Sequence, residues 1–399
     1  MQASAPYVLE ERLMKQRRLS TIVWKVLAAL FAVAVASGPA FAQIGYVRSD
    51  GINSVVYQGS DQHVYELYLL GNQWQLGDLT YLTGAPLAYS VPQPYVRSDN
   101  VSSVVYAGAD GHIYEIYLWG GTWYYGDLTA ISGAPLGADP HPYVRADQIN
   151  SIVYVGQNQH IYEIYLYGGW HWGDLTAVSG APPIFNGLHP YVSSNKISSV
   201  LYVAGDGHSG SLHQIYEIYL GRRGWSYANL TALAGAPDAN AVPFVTPHPF
   251  VRSDGVDSIV YPRGAQAGWP IFELYPQAGA WHYDNLSDLS QAPLGNWNLN
   301  PYVRSDGISA VVYSGGTVAL GGDGHLRELF YDFGGWHFDD LTDQAGAPLV
   351  DTNYDPHPYV RADGLNAVLY WSSGHVIELY WSPAYTSWQY EDLTAQAGG

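Results

Sequence analysis

The chain has 399 residues, no cysteine and a formal charge of −19, and it carries 35 Tyr and 14 Trp. Without Cys there is no thiol chemistry and no disulfide framework, so packing must hold the fold. The acidic balance excludes the electrostatic footprint of a nucleic-acid binder or of a protein docked on anionic lipid.

In chain order, residues 1–42 come first and stand apart. They hold a basic stretch from Lys15 to Arg18, then Lys25, an apolar run from Val26 to Ala36, and small residues at Ala40 and Ala42. This pattern predicts a secretory signal peptide cleaved after Ala42, giving a secreted, extracellular or periplasmic protein. The uninterrupted apolar run is 11 residues, too short to span a bilayer, so no membrane insertion is expected. The leader has five basic and two acidic residues, which leaves −22 on residues 43–399.

From residue 43 onward the chain repeats itself. Copies begin at Tyr46, Tyr95, Tyr143, Tyr191, Phe250, Tyr302 and Tyr359, spaced 49, 48, 48, 59, 52 and 57 residues apart. Repeat boundaries fall at 45–93, 94–141, 142–189, 190–248, 249–300, 301–357 and 358–399. The second copy shows the elements. A short strand A, PYVRS, is followed by a turn at Asp99-Asn100, where other copies have Asp-Gly, the tight-hairpin dipeptide. SSVVYAG reads as strand B, HIYEIYL as strand C and TWYYGDL as strand D, and a loop built on SGAPL leads onward. Both faces of strand C are largely apolar or aromatic, as a blade covered on two sides requires. Four antiparallel strands in seven copies predict an all-β fold, a single seven-bladed β-propeller over 43–399. No helical periodicity is seen after residue 42. Copies four, five and six carry insertions (HSGSLHQ, PRGAQAGWP, GGTVALGGDGH) expected to lengthen their B–C hairpins along one edge.

Some residues recur in nearly every copy. Strand C keeps a glutamate: Glu66, Glu115, Glu163, Glu217, Glu273, Glu328 and Glu378. Strand A keeps an arginine: Arg48, Arg97, Arg145, Arg252, Arg304 and Arg361, with Ser193 in the fourth copy. Strand D opens on a tryptophan: Trp74, Trp123, Trp170, Trp225, Trp281, Trp336 and Trp388, with Trp172 as a competing choice in the third. An Asp or Asn closes strand D at 78, 127, 174, 229, 285, 340 and 392. A half-buried carboxylate needs a cation or several donors. One reading makes Arg, Glu and Trp mortar between blades. The other makes each crevice a sugar site, with Trp stacked on a pyranose and Arg and Glu on vicinal hydroxyls.

The layout SVVYxGxDGHIYEIYL…W resembles the fucose-binding propeller lectins, of the Aleuria type and the seven-bladed Photorhabdus type. The resemblance covers the repeat plan of the whole region after residue 42. It implies a pocket made by the strand-C Glu, as in IYE at Ile113 to Glu115, and an aromatic. The family's strand-B Arg is not matched: Ser54, Ser103, Ser151, Ser199, Ser258, Ala310 and Ala367 stand there. The strand-A Arg offers a guanidinium from a neighbouring direction.

No G-x-S-x-G, H-E-x-x-H, P-loop or D-x-D-x-D-G pattern is present. One His per copy at the head of strand C (His63, His112, His160, His325, His375) is not a metal cluster. No cofactor or metal is called for. A strand-C Glu with a strand-D Asp is the pair a glycosidase would use. Seven like positions point instead to repeated, non-catalytic binding of glycans or glycoconjugates, acting by avidity. The alternatives are a propeller scaffold that binds protein and a propeller glycosidase or lyase.

Overall fold

The computed structural model describes residues 42–398 apart from 206–212, 240–245, 265–267, 297–298, 316–321 and 351–354. The proposed leader lies outside the described residues. Seven four-stranded antiparallel sheets follow one another, and each takes its strands from one repeat in sequence order. The expected seven-bladed propeller is therefore the observed architecture. In blade 2 the strands are Gln93–Val96, Ser102–Ala107, Ile113–Trp119 and Thr122–Asp127, within a residue or two of the segments read from the sequence. The A strands of the other blades are Gln43–Val47, Gly137–Val144, Asn186–Val192, His248–Val251, Leu299–Val303 and His357–Val360.

The core is divided. Seven apolar clusters each lie between two successive blades. Between blades 2 and 3, for example, Val105, Ile113 and Leu128 pack on Ile152, Tyr154 and Ile164. The alternation of strand C therefore serves two cores: Ile113 faces blade 3, whereas Tyr114 and Ile116 face blade 1.

Polar latches repeat between blades. The backbone N–H after the strand-A Arg position donates to the first side chain of strand B in the next blade: Ser98 N to Asn150 Oδ1 (2.7 Å), Ser305 N to Asn366 Oδ1 (2.7 Å). The latch from Ala362 N to Asn53 Oδ1 (2.7 Å) closes the ring. The strand-B tyrosine donates back to the preceding connection, as Tyr106 does to the Pro86 carbonyl (2.7 Å).

One expectation fails. A short helix, not a plain loop, follows strand D in every blade: α1 Leu79–Thr83, α2 Leu128–Ser132, α3 Leu175–Ser179, α4 Leu230–Ala234, α5 Leu286–Ser290, α6 Leu341–Ala345 and α7 Leu393–Gln396. Such helices are too short to show a 3.6-residue period, and their caps define them. The recurring Asp or Asn is the N-cap: Asp127 Oδ1 accepts from Ala130 N at 2.9 Å. The Gly of SGAP ends the helix in the left-handed region, Gly133 at φ 71°.

Antiparallel order sets the two faces of the ring. A–B turns and C–D turns share one face; B–C hairpins and the capped helices lie on the other. The three insertions fall between strands B and C as expected, and most of their residues lie outside those described.

Candidate functional site

Strand A is innermost. Its residues from all seven blades line a central cavity of about 360 Å³, among them His141, His189, His248, Asn300 and His357. The His141 and His189 ring centroids are 5.2 Å apart, and those of His189 and His248 are 4.4 Å apart. Burial pushes His189 well down, His248 to about 3 and His357 to about 4, so these three imidazoles are neutral. The sequence reading singled out the strand-C histidines and missed this ring. The signal was present as a His two residues before the strand-A aromatic in four copies.

The recurring Arg, Glu and Trp meet between blades. In each of six crevices the guanidinium is held on three sides. It pairs with the turn Asp two residues on, as Arg97 does with Asp99 (2.7 Å) and Arg145 with Asp147 (2.7 Å). It faces the strand-C Glu of its own blade: 3.5 Å for Arg48–Glu66, Arg97–Glu115 and Arg145–Glu163, 3.2 Å for Arg252–Glu273, 3.1 Å for Arg304–Glu328 and 2.8 Å for Arg361–Glu378. In five of the six its third side lies against an aromatic of the next blade. Arg48 sits 5.6 Å from the Trp123 ring, Arg97 5.8 Å from Trp170 and Arg145 5.7 Å from Trp225.

Two crevices use a different aromatic. Arg252 lies 4.4 Å from Tyr331 and Arg304 4.4 Å from Trp381, and the strand-D residues Trp336 and Trp388 are buried behind these rings. Tyr331 and Trp381 stand three residues after the strand-C Glu, a position that is aliphatic or Pro in the other copies, so the repeat consensus hid them. In the last crevice Trp74 donates from Nε1 to Glu391 Oε1 (3.4 Å), which also lies 3.4 Å from Arg361. Between blades 4 and 5, Ser193 takes the place of the Arg. Glu217 there accepts from the Tyr191 hydroxyl (2.8 Å), and Trp281 packs on the same inter-blade core as Tyr191.

The strand-B serines lie directly beneath the carboxylates: Ser151 donates to Glu163 and Ser258 to Glu273, both at 2.6 Å. The guanidinium thus reaches the glutamate from strand A, while a hydroxyl comes from the strand-B serine in blades 3 and 5 and from the strand-A Tyr302 and Tyr359 in blades 6 and 7. Desolvation pushes every strand-C glutamate up, and the arginine opposes it in all but Glu217, where the Tyr191 hydroxyl does; Glu328 rises to about 7 and Glu378 to about 8. In blade 2 the strand-C Glu and the strand-D Asp do not meet. Glu115 faces blade 3, whereas Asp127 caps its helix and pairs with His112 Nδ1 at 2.8 Å. The strand-C histidines are absorbed the same way: His63, His160, His325 and His375 each contact their own cap Asp at 2.7–2.8 Å. Among the described residues one metal-capable trio exists, His325, Asp340 and Asp343, and Arg327 already lies 3.4 Å from Asp340.

Two crevices open widely to solvent. The one between blades 3 and 4, about 370 Å³, is lined by Arg145, Glu163, Tyr165, Tyr167 and Trp225. The one between blades 7 and 1, about 540 Å³, is lined by Trp74, Arg361, Asp363, Glu391 and Gln396. Sequence reasoning missed the exposed aromatics on the C–D turns, Trp119 (63% exposed) and Tyr167 (71%), because they vary between copies.

No protein-family model matches the sequence, and no curated protein matches it. Solved structures do. The chain is similar to the lectin BP39L from Burkholderia pseudomallei, with a TM-score of 0.65 at 12% identity over 88% of this chain and 98% of that one. It is also similar to a polysaccharide lyase, an ulvan lyase bound to a glucuronate–rhamnose sulfate unit, with a TM-score of 0.51 at 11% identity over 88% and 90%. A fungal lectin from Aleuria aurantia, described as a six-bladed propeller with a novel fucose recognition mode, matches with a TM-score of 0.44 at 14% identity over 75% and 93%. At these identities the likeness is one of fold. The match to BP39L bears out the propeller architecture read from the repeat.

Among the described residues no helix is long and apolar enough to cross a membrane.

Proposed function

We propose that this protein is a secreted carbohydrate-binding propeller, non-catalytic and multivalent, with its sugar sites in the inter-blade crevices. The observation that carries the reading is the crevice between blades 3 and 4. A guanidinium, a carboxylate and three aromatics, Tyr165, Tyr167 and Trp225, line one solvent-open cavity of about 370 Å³, within the range of small-ligand sites. A pyranose presents an apolar face to such rings and hydroxyls to such charges. The Arg145 and Asp147 pair leaves Asp147 at 45% side-chain exposure, so an acceptor remains available to a ligand hydroxyl. The lectin BP39L has this fold, which supports the class. Because the repeat resembles fucose-binding lectins, L-fucose is the first sugar to try. Secretion follows from the leader, with cleavage after Ala42.

A glycan array probed with residues 43–399 tests the reading, with free L-fucose as one competitor. Binding that a free monosaccharide displaces, and that Tyr167→Ala or Trp225→Ala weakens several-fold without lowering the melting temperature by more than a few degrees, is the expected result. Trp123→Ala should weaken the neighbouring crevice between blades 1 and 2 in the same manner. A blank array would transfer the reading to a protein-binding scaffold. Release of unsaturated product from an acidic polysaccharide would transfer it to a lyase.

A further inference from the structure

The fourth crevice differs from the other six in a specific way. In those six, the strand-C glutamate holds a guanidinium supplied by strand A, together with an aromatic of the next blade in five of them and Glu391 of the same blade in the sixth. In the crevice between blades 4 and 5 the holder remains and the guanidinium is gone. Glu217 and Trp281 are present, Ser193 replaces the Arg, and Asn195 replaces the turn Asp. Glu217 is only half-buried, whereas its six counterparts are buried. A second carboxylate has also been added. Strand B of blade 5 begins with Asp257, where the other blades have Ser or Asn, and Asp257 accepts from Ser194 N (2.6 Å) and Ser194 Oγ (3.0 Å). The basic side chains nearby do not fill the gap. Lys196 lies beside Asp147 and Leu220 on the blade 3 side, and Arg222 and Arg223 are exposed on the C–D turn.

We infer that the crevice between blades 4 and 5 binds a cationic group carried by the ligand, the ammonium of an amino sugar, in the place the other blades fill with arginine. This rests on the carbohydrate reading above for the sugar, and on the geometry of the repeat for the charge. The ammonium would sit between Glu217 and the Trp281 ring, as the guanidinium of Arg145 sits between Glu163 and Trp225. Asp257 adds a longer-range attraction: it raises the proton affinity of Glu217 together with burial, and a bound cation relieves both. N-acetylation removes the charge and leaves a neutral amide, which the crevice has no reason to prefer.

The test is isothermal titration of residues 43–399 with glucosamine, N-acetylglucosamine and methylguanidine. Glucosamine should bind at least about tenfold more tightly than N-acetylglucosamine, the size of one charge-assisted contact, and methylguanidine should compete. Ser193→Arg builds the missing guanidinium on a backbone that already matches its counterparts: Ser193 N donates to Ile197 O at 2.9 Å, as Arg97 N does to Val101 O. It should abolish glucosamine and methylguanidine binding while raising the melting temperature. Glu217→Gln should weaken both ligands by a similar factor. Equal binding of the two sugars, or glucosamine binding that survives both substitutions, overturns the proposal. Methylguanidine binding that Ser193→Arg removes, with no glucosamine binding, overturns the amino-sugar assignment. A failure of the carbohydrate reading as a whole shows separately, as loss of effect at Tyr167 and Trp225 on the array.

Discussion

At the scale of single residues, the same guanidinium serves packing and presents chemistry. Arg97 is mostly buried and neutralises Glu115, which is 2% exposed. Removing it leaves a buried carboxylate without its cation. Arg97→Ala should therefore cost about 3–5 kcal/mol in urea unfolding at neutral pH. The sign with pH follows from burial, which already raises Glu115 above its ordinary value. A carboxyl whose folded pKa lies above its unfolded value contributes stability that is full below the unfolded pKa and lost as pH rises through the folded one. The deficit of Arg97→Ala should thus shrink on acidification toward pH 4, and a deficit that does not change with pH would remove Glu115 from the account. The Arg, Glu and Trp positions were legible from recurrence alone. Their pairing was not, because Arg48 meets Trp123 of the following repeat and not Trp74 of its own.

At the scale of elements, strand D and its helix are joined by one residue with two tasks. Asp127 caps α2 through Oδ1 and receives His112 on Oδ2. The pair changes together across the repeat. In blade 4 the His is Gln214 and the cap is Asn229, which donates from Nδ2 to Gln214 Oε1 at 2.5 Å; in blade 5 the His is Pro270 and the cap is Asn285. Loss of the cap should cost about 1 kcal/mol. Asp127→Ala should show this in the melting temperature, while Asp127→Asn should retain the cap and lose mainly the His112 contact. The hairpins were legible because strand alternation and Asp-Gly turns are local signals. The helices were not, since four or five residues leave no periodicity and only the cap and the αL glycine mark them.

At the scale of the whole molecule, each sheet is a single repeat, so no strand is exchanged to lock the ring. Closure between blades 7 and 1 rests on packing of Val55, Leu67 and Trp74 against Tyr359, Leu369 and Leu393, and on the Ala362–Asn53 latch. Every junction is then equivalent in kind. A permutant that begins at blade 3, with residues 399 and 43 joined through a copy of the 84–92 connection, should fold to the same strand content by circular dichroism. Failure to fold would mean that the native break is required. The central ring of histidines sets a second whole-molecule property. His357 is depressed to about 4 in the folded protein, so the unfolded chain binds more protons between that value and the ordinary His range. Stability should therefore fall as pH drops from about 6.5 to 4, and His357→Gln, matching the Gln93 of blade 2, should flatten that slope in pH-dependent melts.

The sequence by itself determined the blade, the number of blades and the residues every blade keeps. These follow from two-residue alternation, turn dipeptides and repetition, all of which are properties of neighbouring positions in the chain. Tertiary structure alone decided what those residues do. It carried the Arg of one repeat to the aromatic of the next, some 75 positions away, brought four histidines into one cavity from four separate strands, and set Glu217 of blade 4 in the crevice with Trp281 of blade 5. The physical reason is that a blade buries its two faces only against its neighbours. The chemistry therefore lies between repeats, where no pattern within one repeat can show it.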